Sequence, residues 1–178
     1  RARERRSKRT SPDSLSGGNL LVDFYNVAFT IINFRLGRKL FRATDGYLRD
    51  AGAAHGRLGK QERIHWVLEP LIRTLARRTP GVVSFYLDAP VSHSGDHAAL
   101  LSRAFREREL PWQAEVVPSA DYPLKRERYA LIATGDSAVI DAAKTSVLDL
   151  AALLLEEEFG YTPPDLRELL ESAPRRLP

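Results

Sequence analysis

Three aspartates in this chain each follow a short apolar run: Asp23 after "LLV", Asp88 after "SFYL" and Asp136 just past "ALIATG". A carboxylate placed there either bonds the backbone amides of the turn or does chemistry. If the three runs are neighbouring parallel strands, the acids meet at one edge of a sheet, and carboxylates a few ångströms apart must share protons or neutralise a cation. Hard divalent ions, Mg²⁺ or Mn²⁺, suit an all-oxygen donor set and keep several waters, with one or two carboxylates and substrate phosphates completing the shell. Such an ion can activate water for attack on a phosphodiester. The chain has no cysteine, which excludes a thiolate zinc site and a disulfide framework.

Each acid also has a purely structural role open to it. Asp23 could bond the amides of the strand-to-helix turn, Asn26 could cap the next helix, and Asp136 with Ser137 could cap another. Asp45 and Asp50 lie in a glycine-rich stretch where turn formation is the default explanation. His93 and His97 are four residues apart, but Pro90 and Gly95 start the helix too late for a zinc pair. His93 instead leaves directly from Asp88 and could meet a scissile phosphate. His55, between small residues in "AAHGRLGK", could reach substrate or simply be exposed. His65 is expected to pack, and Trp66 and Trp112 to be core or boundary aromatics.

The elements that must position these residues alternate. Residues 19–23 predict a buried strand and 27–36 an apolar helix stopped by Gly37. Residues 38–60 predict a long connection, with a hairpin near Leu40 and Phe41 and the Asp45-Gly46 turn signal. Apolar residues at helical spacing predict a helix over 61–78, kinked or divided at Pro70. A strand at 82–87, a helix at 96–109, strands at "QAEVV" and "YALIAT", helices at 137–143 and 148–159 and a turn near 165–171 follow. Wholly apolar strands between amphipathic helices imply an α/β fold with a mainly parallel sheet covered on both faces, and such sheets bind ligands beyond the carboxyl ends of their strands.

The 178 residues fit one domain, and no apolar run is long enough to span a bilayer, so a cytoplasmic protein without a membrane partner is expected. Basicity is local. Residues 1–10 carry a net +5 against +4 for the whole chain, so the remainder is nearly neutral. Residues 1–18 accordingly predict a basic tail or the remnant of a preceding domain, and 19–178 the folded domain. Smaller basic groups occur at Arg35, Arg38, Lys39 and Arg42 and at Lys125, Arg126 and Arg128, and no segment is expected to interleave aromatics with cations as single-strand binders do.

"LVDFYN", "FYLDAP" and "IATGDS", in that order, resemble the PIN-like nucleases, especially their NYN branch. "ATDGYLRDAGAAHG" and "DAPVSHSGDH" are similar to an uncharacterised PIN-like family of archaea and bacteria whose domain commonly follows an N-terminal helical one. The resemblance covers residues 19–150 and implies a three-layer PIN-like fold and a metal-dependent ribonuclease. It implies Asp23, Asp88 and Asp136 as catalytic metal ligands, Asp141 as a fourth acid, and Asn26 and Ser137 as polar helpers near the substrate. Phe24 stands where the NYN pattern has glycine. RNA as partner and a homodimer, through helix 148–159 or "PPDLRELLE", are expected by the same analogy. Two alternatives remain: a non-catalytic RNA-binding scaffold, and a phosphatase of the haloacid dehalogenase type suggested by "TGDSAVID". The latter needs an acid two positions after Asp23, where this chain has Tyr25.

Overall fold

A computed structural model describes residues 1–50, 63–166 and 168. Its centre is a parallel sheet of five strands: β1 (Leu20–Asp23), β4 (Val83–Asp88), β5 (Trp112–Val117), β6 (Leu131–Ala133) and β7 (Val147–Leu148), in the order β5-β4-β1-β6-β7. A hairpin of β2 (Leu40–Arg42) and β3 (Leu48–Asp50) stands apart. The hairpin was legible in the Asp45-Gly46 signal: Gly46 takes a φ of +87°, open to a residue without a Cβ, and closes the turn.

Alternation along the strands divides the core into two. Leu20, Val22, Val83, Phe85, Leu87, Ala133 and Leu148 face a large cluster, whereas Leu21, Tyr86, Ile132 and Val147 face a smaller one. Helices α2 (Phe24–Arg35), α3 (His65–Ala76), α4 (Ser94–Glu107) and α7 (Leu150–Phe159) supply the large cluster. Helices α5 (Asp121–Arg126) and α6 (Ser137–Ala142) supply the smaller one with Tyr47 of the hairpin. A fully buried Leu or Phe on either face contributes about 2 kcal/mol by removal from water. The fold is therefore the expected α/β sandwich, with helices on both sides of a parallel sheet.

Several local expectations are corrected. Helix α3 runs unbroken through Pro70, which is buried and leaves only the Trp66 carbonyl without a helical donor. His65 is exposed rather than packed. Helix α7 buries Leu150 to Leu155 inside its own fold, against α2 and α3. Helix α5 and strand β7 were not foreseen. The basic start forms α1 (Ala2–Lys8), which lies on α6: Lys8 bonds the Ile140 and Asp141 carbonyls, and Arg9 bridges to Val147 at the sheet edge.

Candidate functional site

Strand order sets the site. From β1 the chain goes to β4 and β5 on one side, while β6 and β7 lie on the other, so connections leave β1 and β6 in opposite directions. The gap outside their carboxyl ends is the switch point at which open α/β sheets bind ligands. Asp23 stands in that gap as the last residue of β1.

Asp23 is also the cap of α2, the post expected for Asn26: its Oδ1 accepts the Asn26 amide at 3.3 Å. Its Oδ2 accepts the Thr134 hydroxyl at 3.0 Å, and Thr134 Oγ1 in turn accepts the Asp136 amide at 3.0 Å. Asn26 crosses the same gap, its Oδ1 accepting the Gly135 amide. A Cβ at position 135 would lie 3.1 Å from that oxygen and 3.6 Å from the Leu48 carbonyl, so glycine permits the close approach of Asn26 and the hairpin to the turn after β6.

Asp88 ends β4 two residues beyond Tyr86, the partner of Asp23, and its Oδ1 accepts the Ala120 amide at 2.8 Å. Asp136 caps α6, accepting the Ala138 and Val139 amides at 2.6 and 3.1 Å. The structural roles weighed for Asp23 and Asp136 are thus real. Burial pushes the Asp23 carboxyl up to about 7; bonds from Thr134 and Asn26 oppose this, while the charges of Asp88 and Asp136 add to it. Asp23 therefore stands in the field of the other two. Among the described residues, however, no three or more His, Asp or Glu side chains are set so that they could together hold a metal ion.

The remaining candidates divide. Asp141 is held by a cation: Arg5 clasps it through Nε and Nη2, both at 2.6 Å, and this pairing lowers its carboxyl. Ser137 Oγ accepts Arg5 and Arg49, both at 3.0 Å, and the same two guanidiniums reach Asp45. Asp45 also accepts the Tyr47 amide, as a turn residue should, and Asp50 accepts the Asn33 side chain. His93 takes a left-handed φ of +65° at the start of α4, an uncommon conformation for a residue with a side chain, and its Nδ1 lies 3.3 Å from Asp96. His97 is buried with its Nδ1 3.0 Å from the Tyr25 hydroxyl. His55 lies outside the described residues.

Thr134, Arg5 and Arg49 escaped sequence reasoning. Thr134 carried the only usable signal, a hydroxyl two residues before an acid at a strand end. The two arginines carried none, because Asp141 and Ser137, which bring them to the site, lie far along the chain. No described helix is long and apolar enough to cross a membrane. No curated protein and no solved structure matches the chain. A family model does match residues 12–153, and the chain belongs to that family, the Domain of unknown function (DUF5616).

Proposed function

We propose that this protein is a metal-dependent nuclease that hydrolyses phosphodiester bonds of RNA with Mg²⁺ or Mn²⁺, in a cytoplasmic setting. The observation that carries the reading is the buried Asp23 at the switch point, its charge disfavoured by Asp88 and Asp136. Such a trio is costly without a cation and is relieved by one.

The donor set fits an ion that keeps most of its water. Asp88 and Asp136 each spend one oxygen on backbone amides, and among the described residues no hydrogen bond reaches their Oδ2 atoms. Asp23, Asp88 and Asp136 would hold the ion, with waters and a substrate phosphate filling the shell of a magnesium-type site. When bound, it supplies Lewis acidity that offsets phosphodiester charge and makes water a better nucleophile. Thr134 and Asn26 fix the Asp23 carboxylate before substrate arrives, which limits reorganisation during reaction. His93, exposed at the start of α4 beside Asp96, is placed to donate a hydrogen bond to a phosphate entering past Asp88. The resemblance to the NYN branch of the PIN-like nucleases supports the same assignment and is the source of the RNA preference.

One observation favours a second reading, a non-catalytic RNA-binding module: among the described residues no three His, Asp or Glu side chains are already arranged as a metal cage. The phosphatase alternative is weaker, since Tyr25, where its acid should stand, is buried against His97. Incubation of purified protein with labelled single-stranded RNA in Mg²⁺, in Mn²⁺ and in chelator separates these readings. Metal-dependent cleavage is expected, reduced by about a thousandfold in Asp23→Asn and Asp136→Asn with the circular dichroism spectrum retained. Parental rates in both variants, or cleavage that survives chelator, would overturn the assignment.

A further inference from the structure

Among the described residues the exposed large hydrophobic side chains are Leu36, Val82, Tyr122 and Tyr129, and the last two are by far the most open, at 65 and 95 %. They bracket one segment, "YPLKRERY", which contains helix α5 and the loop leading to β6. Lys125, Arg126 and Arg128 lie between the two rings, with Glu127 as the single acid. The expectation that no segment mixes aromatics with cations fails here.

The segment is firmly built. Glu127 Oε1 accepts the amides of Arg128, Tyr129 and Ala130 at 2.8, 2.7 and 3.0 Å, so its carboxylate is spent on fixing the loop. Leu124 anchors α5 in the smaller core. The Arg126 guanidinium lies over the Tyr122 ring, 5.1 Å from its centroid, while Lys125 is held by Asp121 at 2.6 Å. An aromatic ring left almost wholly in water on a loop tied this tightly contributes nothing to folding.

Its place relates it to the acids. Ala120, just before α5, donates its amide to Asp88, whereas the loop ends at Leu131, the start of β6, on the opposite edge of the sheet. Helix α5 rises about 9 Å over its six residues. Tyr122 is therefore nearer the acid edge and Tyr129 farther from it. The pattern of a stacking ring, cations and a second ring suits a strand with unpaired bases; the isolated rings do not form the continuous apolar patch that a protein partner or membrane would need.

We propose that Tyr122–Tyr129 is a platform for single-stranded RNA, with bases stacked on Tyr122 and Tyr129 and phosphates met by Lys125, Arg126 and Arg128, leading the strand toward Asp88. The platform deepens the nuclease reading and rests on it for the identity of the ligand.

The test is fluorescence anisotropy of the full chain with a labelled twelve-nucleotide oligouridylate, in chelator so that no cleavage intervenes. Tyr122→Ala and Tyr129→Ala are each expected to weaken binding about tenfold, and Tyr129→Phe, which keeps the ring, to restore it. Arg126→Gln with Arg128→Gln should flatten the salt dependence by about 1.4 units of slope, as the loss of two phosphate contacts on a single strand requires. An RNA duplex should be insensitive to the tyrosine changes, and thermal melting should match the parent throughout. Unchanged affinity in the tyrosine variants, equal losses on duplex, or no binding of the oligouridylate would overturn the platform. So would sedimentation showing that Tyr129→Ala dissociates a dimer, since the surface would then serve self-association. Tyrosine-dependent binding without metal-dependent cleavage would leave the platform standing and remove the nuclease; cleavage with tyrosine-independent binding would do the reverse.

Discussion

Asp23 and Asp149 occupy the same kind of post in two parts of the molecule. Each is buried, each closes a parallel strand and each caps the helix that follows. Burial pushes both carboxyls upward. For Asp149 the opposing influences are the Leu48 and Ala152 amides, at 2.8 and 3.2 Å, and the charges of Arg9 and Arg42. For Asp23 the Thr134 and Asn26 bonds oppose the rise, but Asp88 and Asp136 add to it. An acid at a strand end is thus not evidence of a site in itself. What distinguishes the two is the sign of the surrounding charge: cationic neighbours oppose the rise at Asp149, a structural clip between the hairpin and α7, and anionic neighbours add to the rise at Asp23.

The largest effect should appear in stability against pH. The folded-state value of Asp23, about 7, stands above the ordinary 3.8, so the folded protein holds this proton more tightly than the unfolded chain. Stability from this group is full below pH 4 and is lost as pH rises to about 7, a loss of about 4 kcal/mol. Urea titrations in chelator should show this decline, Asp23→Asn should make it shallower, leaving the part that belongs to Asp149, and millimolar Mg²⁺ should reduce it at pH 8. A decline unchanged in Asp23→Asn would place the strain elsewhere.

Next in size, Asp149→Ala should cost about 3 kcal/mol at pH 4, because two buried amides lose their acceptor, and less as pH rises, because burial holds the Asp149 carboxyl upward too. Metal uptake measured by calorimetry should be unaffected; a loss of uptake would erase the distinction between the two aspartates. The smallest effect belongs to Asp88→Asn, which removes one of the lesser influences on Asp23. The Asp23 carboxyl resonance should then titrate at a lower pH than in the parent, and an unchanged midpoint would mean that the two acids do not sense each other.

Much of the fold was legible because its causes are local. "LLVD" and "SFYLD" are strands since their apolar residues need cover on both faces, and Asp45-Gly46 turns because glycine tolerates the left-handed backbone. Helix α5 was missed because six residues with proline inside show too little periodicity, and the docking of α1 because its partners, Asp141 and Val147, lie far along the chain. Pro70 misled for a related reason: burial of Leu68, Leu71 and Ile72 outweighs one missing backbone bond.

The order of residues by itself determined which segments are strands and helices and that acids stand at strand ends, since apolar periodicity and turn chemistry act within a few residues. Only the tertiary structure decided that β6 rather than β7 lies beside β1. That adjacency brings Thr134 onto Asp23 and Asp136 into its field while Asp149 is left among arginines. The physical reason is that hydrogen bonds and Coulomb forces depend on separation in space, which the distance along the chain does not set.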